Sequence, residues 1–553
     1  MTVSLVRGAC VADRDRRGAC GYAREMHTRR TFRPNRSLRT GGALLAAAAL
    51  LVSACSSGGT STAATAADRA PALGALPRST PAALAPYYEQ KLRWRGCEMP
   101  GFQCATMKAP LDYEKPGEGD IKLAVSRKKA TGPGERLGSL LVNPGGPGGS
   151  AVGYLQGYAG MGYPAEVRAQ YDMVAVDPRG VAGSEPLECL TGRQMDAYTQ
   201  TDMTPDDEGE KAGLVASYKR FAEGCGARAP KLLRHVSTVE AARDMDILRA
   251  ALGDEKLTYV GASYGTFLGA TYAGLFPHRV GRLVLDGALD PSLPADRLNR
   301  EQTAGFETAF EAFAKDCARR KDCPLGRTPA QVGKNLRALF ERLDARSVPT
   351  RDPGGRQLGE SLATTGVIAA MYDEGHWPQL RQALTETIRD NDGASLLALS
   401  DSYYERDADG SYSNLMYANA AVNCLDLPPA YTAPDQVEQA LPAFEKASPV
   451  FGRALAWTSL NCAYWPVEPT GTPHRIEAKG ADPIVVVGTT RDPATPYRWA
   501  RALASQLSSA RLLTYDGDGH TAYGRGSACV DAAINAYLLR GTPPADGKRC
   551  SQP

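Results

Sequence analysis

The chain has 553 residues, 43% of them hydrophobic, with 64 basic and 61 acidic side chains that leave a formal net charge of +3. This is ample for a large core, or for a core with an inserted unit. The near-balance of charge argues against nucleic acid, or a strongly charged membrane surface, as a partner.

Residues 1–55 read as an export signal rather than as part of the fold. Arg29, Arg30, Arg33, Arg36 and Arg39 precede the apolar run Ala43–Val52, which is too short to cross a bilayer as an ordinary helix. Val52-Ser53-Ala54-Cys55 resembles a lipobox, making Cys55 the expected lipidation site, with the protein expected on the outer face of the cytoplasmic membrane or released extracellularly. Thr28-Arg29-Arg30-Thr31-Phe32 resembles a twin-arginine export motif, and Met26 is an alternative start, so export route and true start stay open. Residues 56–80, rich in Ser, Thr, Gly, Ala and Pro, read as a flexible tether.

From about residue 81 to 290, β-prone runs alternate with helical stretches, the pattern of a doubly wound, mostly parallel sheet. The runs are Ile121–Ser126, Ser139–Val142, Met173–Val176, Leu257–Val260 and Arg282–Leu285. The second run leads into Asn143-Pro144-Gly145-Gly146-Pro147-Gly148-Gly149-Ser150, whose glycines can turn amide N–H groups toward a ligand. No Gly-Lys-Ser/Thr ending follows, so a nucleotide phosphate loop is not expected.

Gly261-Ala262-Ser263-Tyr264-Gly265 is a G-x-S-x-G segment between a strand run and a helix-compatible run. That is the setting of a nucleophile elbow, in which a sharp turn exposes the serine at the carboxyl edge of a sheet. The hydroxyl then needs a base and an acid that orients it. In an α/β-hydrolase these follow in the order Ser, Asp or Glu, His. Of the six histidines, His520 alone follows a convincing last strand run, Ala510–Tyr515. Pro483–Gly488 is the strongest β-branched run, and Asp492 follows it at the expected carboxyl edge. Asp286, which ends Leu283-Val284-Leu285, is the rival acid. The oxyanion donors expected of such a site are the N–H of Tyr264 and an N–H of the glycine loop.

Pro144-Gly145-Gly146-Pro147-Gly148, Asp177-Pro178-Arg179-Gly180 and Gly261–Thr266 together resemble the motifs of the proline iminopeptidase family. The layout from about Cys97 to Cys550 resembles bacterial secreted tripeptidyl aminopeptidases and related lipoprotein serine hydrolases. The resemblance implies Ser263, Asp492 and His520 as a triad, Gly146 and Tyr264 as oxyanion donors, and no cofactor or metal. Asn143-Pro144 replaces the histidine that opens the iminopeptidase loop, which favours the tripeptidyl branch.

Residues 291–479 carry helical stretches such as Thr303–Ala318 and Val332–Ala345 and few strand runs. They read as a helical cap over the sheet edge, with the core resuming at 480–553 and ending in a helix near Val530–Leu539. An aminopeptidase must recognise a protonated amino terminus, for which a carboxylate is the economical means. Asp426 is the first candidate and Glu374 the second, with Asp401 and Glu405 also in range. Ten cysteines follow Cys55 and fall in neighbouring pairs: Cys97/Cys104, Cys189/Cys225, Cys317/Cys323, Cys424/Cys462 and Cys529/Cys550. In an exported protein these are disulfide candidates. The expected function is an exported serine exopeptidase acting on peptides with free amino termini. A cell-envelope carboxylesterase or lipase is the alternative, and a binding lipoprotein without catalysis a third reading. Oligomeric state is not indicated.

Overall fold

The computed structural model describes residues 70–551. The expected signal segment and Cys55 lie outside the described residues. One sheet runs through the molecule in the order β1-β2-β3-β5-β4-β6-β7-β8-β9-β10. Its strands are β1 (Arg95–Gly96), β2 (Gln103–Pro110), β3 (Asp120–Lys128), β4 (Gly138–Asn143), β5 (Tyr171–Val176), β6 (Leu257–Ala262), β7 (Val280–Asp286), β8 (Ile484–Arg491), β9 (Ala510–Asp518) and β10 (Lys548–Ser551). From β5 to β10 every neighbour pairs in parallel, while β1, β2 and β3 attach antiparallel at one edge.

The central strands are apolar at nearly every position because helices cover both faces. Successive residues alternate between two apolar clusters. Tyr259, Leu283 and Val486 belong to one; Val260, Val284 and Val485 belong to the other. The helices that matter for the site are α1 (Glu208–Arg228), α2 (Thr238–Leu252), α3 (Tyr264–Leu275), α4 (Ala295–Arg319), α5 (Pro329–Ala345), α6 (Glu360–Met371), α7 (Leu415–Asp426) and α8 (Ala528–Arg540). Helix α2 starts at Ser237, whose hydroxyl accepts the Glu240 N–H, and ends at Gly253 in the left-handed region. These are an ordinary N-cap and C-cap.

Among the described residues, the segment between β7 and β8 is helical and contributes no strand to the sheet. It has its own apolar core around Phe313, Leu336, Leu362 and Leu384. Helix α1 comes from the part assigned to the sheet domain on sequence, yet it packs on the insertion. Leu214 and Tyr218 cluster with Val437, Phe444 and Trp457.

The sequence reading passed over β1, β2 and β10. Along β2 the inward side chains are Ala105, Met107 and Ala109, with Thr106 and Lys108 outward, so the alternation is present but two of its three apolar members are alanines. In β10 only Cys550 is buried. The tether also ends earlier than residue 80. Leu73 N–H donates to Arg475 O at 2.8 Å and Leu76 N–H to Leu275 O at 2.9 Å. Leu73 and Leu76 pack on the core, which is why a segment of loop-like composition docks.

The cysteines pair as neighbours: Cys97–Cys104, Cys189–Cys225, Cys317–Cys323, Cys424–Cys462 and Cys529–Cys550. Non-reducing peptide mapping of protein recovered from an oxidising compartment is expected to return these linkages. A free thiol among the ten would contradict them.

Candidate active site

Strand β6 ends at Ala262 and α3 begins at Tyr264, so Ser263 alone makes the turn between them. Its backbone lies at φ 56° and ψ −125°, which costs a residue with a side chain on the order of 1–3 kcal/mol. Fixed hydrogen bonds hold it there. The Ser263 N–H donates to Asp286 O at 2.9 Å, and the Ser263 carbonyl accepts from Thr266 N at 2.8 Å and Thr266 Oγ1 at 2.6 Å. A Cβ on Gly261 would fall on the carbonyl oxygen of Gly265, so the turn can close only around glycine.

The glycine loop lies directly against this elbow. A Cβ on Gly145 would sit 2.8 Å from Tyr264 N and 2.9 Å from Ser263 Cβ. Asn143, buried at the end of β4, accepts the Gly145 N–H on Oδ1 at 2.9 Å and so shapes the loop's first turn. Gly146, Ser263 and Tyr264 all line one cavity of about 380 Å³ between the sheet edge and the insertion.

Asp492 and His520 meet. Nδ1 of His520 lies 2.8 Å from Asp492 Oδ1 and 2.9 Å from Oδ2. The carboxylate is fixed from behind by N–H groups of Ala494 at 3.0 Å, Thr495 at 2.8 Å and Thr521 at 3.2 Å. With Nδ1 held by a carboxylate, the imidazole presents Nε2 as its free base. Nε2 is buried and makes no hydrogen bond, to Ser263 or to any other group; a catalytic base can form that bond only once substrate is bound.

The rival acid has another place. Asp286 Oδ2 accepts the N–H groups of Ala522 at 3.0 Å and Tyr523 at 2.8 Å. Through its carbonyl it also holds Ser263 N–H. Asp286 thus braces the serine turn and the histidine loop against each other without touching the imidazole nitrogen. Burial raises its carboxyl above the usual range, against those two N–H bonds.

Asp426, the last residue of α7, lines the same cavity as Ser263. Its carboxylate sits at the N-terminus of α2, accepting Thr238 N–H at 2.8 Å and Thr238 Oγ1 at 2.5 Å. Thr238 Oγ1 lies 2.6 Å from the Tyr264 hydroxyl. A hydrogen-bonded chain therefore runs from Tyr264, the residue after Ser263, to the carboxylate. Burial pushes the Asp426 carboxyl up to about 7, opposed by the two Thr238 bonds. Glu374 is placed differently. It is not part of the cavity lining and pairs with Arg525 at 2.7 Å.

Three neighbours of the site escaped the sequence reading. Thr495 Oγ1 is 3.5 Å from His520 Nδ1, Tyr372 stands edge-on to the imidazole with centroids 5.5 Å apart, and Asn419 donates from Nδ2 to Pro147 O at 3.1 Å. Thr495 had a local signal: Asp492-Pro493-Ala494-Thr495 is a side-chain-to-backbone turn ahead of a helix. Tyr372 and Asn419 come from the insertion and carry no such signal.

A strained serine beside an amide-rich loop, braced through Asp286 against the loop that carries a carboxylate-held imidazole after the last long strand, is the constellation of the α/β-hydrolases, and the chain is a serine hydrolase of that class. The family model for TAP-like proteins matches residues 448–550. The chain is 39% identical over 485 residues to serine protease Hip1 of Mycobacterium tuberculosis, covering 84% of this chain and 92% of that one. Carboxylesterase B of the same organism is also 39% identical, over 482 residues, with 84% and 91% covered. The tripeptidyl aminopeptidase of Streptomyces lividans is 32% identical over 470 residues, with 81% and 84% covered. The chain belongs to the family that these hydrolases form.

Proposed function

We propose that this protein is an exported serine exopeptidase that releases short peptides from free amino termini. Ser263 Oγ attacks the scissile carbonyl carbon while its proton passes to His520 Nε2, and Asp492 stabilises the imidazolium. The N–H groups of Gly146 and Tyr264 receive the negative charge that forms on the carbonyl oxygen. Collapse breaks the C–N bond, His520 returns the proton to the leaving amine, and water then cleaves the acyl-enzyme by the same route.

One observation carries the exopeptidase reading. Among the described residues lining the cavity, Asp426 is the only acidic or basic side chain. A lone carboxylate facing an otherwise neutral chamber suits an ammonium group, and an ester substrate would gain nothing from it. The similarity to the Streptomyces tripeptidyl aminopeptidases supports the same reading. Export is supported by the cysteine pairing and by the signal-like N-terminus. Lipidation of Cys55 is part of the proposal, and a mature protein whose first residue is not diacylglyceryl-cysteine would overturn that part.

The test compares a chromogenic peptide bearing a free amino terminus with its acetylated twin. A charge-assisted hydrogen bond is worth about 1.5–3 kcal/mol, so acetylation is expected to lower kcat/KM about ten- to a hundredfold. Asp426→Asn should erase that difference while leaving hydrolysis of a small ester nearly unchanged. The preference should also depend on pH. The ammonium is present below its pKa of about 7.7–8.0, and the carboxylate is present above about 7. Discrimination should therefore peak between those values and fall on either side. Equal rates on both peptides would discard the exopeptidase reading in favour of an esterase, the activity named for the equally similar carboxylesterase B.

A further inference from the structure

We propose that Arg525, together with the turn Tyr372–Glu374 of the helical insertion, positions His520, so that the imidazole is held by the insertion as well as by the sheet. This rests on the reading of His520 as the base.

From the sheet side the histidine loop is fixed by Asp492 and Asp286, as described above. From the other side His520 N–H donates to Tyr372 O at 2.8 Å. The Tyr372 ring, just beyond α6, meets the imidazole edge-on, with an interplanar angle of 84°. Arg525 closes the arrangement. Its Nη1 donates to His520 O at 3.1 Å and Thr521 O at 3.3 Å. Its Nη2 donates to Glu374 Oε2 at 2.7 Å and Asp373 Oδ1 at 3.1 Å. One planar guanidinium thus ties three carbonyls at the histidine loop, that of Asp518 at 3.5 Å among them, to two carboxylates of the insertion, a task for which a lysine lacks the fork.

The chain makes room for it. Gly519, immediately before the histidine, has φ 86°, and a Cβ there would lie 2.6 Å from Arg525 Nη2 and 2.8 Å from Glu374 Oε2. The positive φ favours glycine at this position, and any Cβ there would have to displace the guanidinium or the Glu374 carboxylate. Tyr372 also lines the cavity that holds Ser263, so a substrate filling that cavity touches a residue that holds the base. The seat of the insertion sets where Nε2 points, and a misplacement of about 1 Å at a reacting group costs about a hundredfold in rate.

The experiment uses the whole exported protein. It measures kcat and KM on a chromogenic peptide, the rate of covalent labelling of Ser263 by a fluorescent fluorophosphonate, and the melting temperature. Arg525→Met is expected to lower kcat and the labelling rate together by about ten- to a hundredfold, with KM within about twofold. Arg525→Lys should recover only part of the loss. The Asp373→Asn/Glu374→Gln double variant should lose about three- to tenfold in the same two readouts. It decides the matter if Arg525→Met does not fold, because the side chains of Asp373 and Glu374 are 44% and 33% exposed and tolerate neutralisation. An unchanged kcat in folded variants, a rise in KM alone, or full recovery by lysine would overturn the proposal. The underlying site reading fails separately: it falls if His520→Ala is labelled as fast as the unmodified enzyme.

Discussion

Ser263→Ala is expected to abolish hydrolysis of every substrate, peptide or ester, while the protein folds and melts as before. Alanine keeps the Cβ, and the elbow's hydrogen bonds all run through the backbone of residue 263 or through Thr266. The turn therefore survives the change, and stability should move by no more than about 1 kcal/mol, the usual range for a change that leaves no cavity. Turnover has no such reserve. Loss of the attacking oxygen removes the covalent path altogether, and in triad enzymes it costs on the order of a millionfold in kcat. Two measurements on the purified variant check this: progress curves at high enzyme concentration, and the mass of the protein after fluorophosphonate treatment. The adduct should appear on the unmodified enzyme and be absent from the variant. Residual kcat of a few per cent in a variant with a native melting curve would mean that another nucleophile does the work.

The parts of this site readable from the sequence are those whose chemistry depends on local backbone. The elbow is legible because Gly261, Ser263 and Gly265 meet steric demands within five residues. Asp492 is legible because a run of buried β-branched residues points to a carboxyl-edge loop. His520 follows from chain order rather than from any feature of its own loop. What the sequence could not convey are contacts made across large separations. Asp426 capping helix α2 through Thr238 joins residues 188 positions apart. The Arg525–Glu374 pair spans 151 positions. Glu374 illustrates the limit well. As an acid in the insertion it is a reasonable candidate for an amino-terminus anchor, but its charge is engaged by Arg525, and only the fold reveals that. The same holds for β2 and β10. Their strand character comes from neighbours that pair with them, and their own large apolar side chains, Met107 in β2 and none in β10, are too few to announce it.

The choice of acid gives the second large effect. Asp492→Asn is expected to leave the fold intact and to lower kcat about ten-thousandfold. With its oxygen at the Oδ1 position the amide still accepts the N–H groups of Ala494 and Thr495, and only the Thr521 N–H loses its acceptor. Facing His520 it offers either a carbonyl without full charge or an N–H that favours the wrong imidazole tautomer. In both cases Nε2 loses the basicity needed to take the serine proton, and the imidazolium loses its counter-charge. His520→Ala should cost nearly as much as Ser263→Ala, because the three groups act as a unit. Asp286→Asn supplies the contrast. Both of its N–H donors reach Oδ2, so an asparagine oriented with its oxygen there keeps both bonds, and its backbone carbonyl still holds Ser263 N–H. Its loss should be about tenfold, through looser placement of the histidine loop rather than through altered proton transfer. The two variants are compared by kcat and by the rate of fluorophosphonate labelling of Ser263. A ten-thousandfold loss in Asp286→Asn alongside a mild one in Asp492→Asn would exchange the two roles. It would require the imidazole to leave Asp492 during turnover.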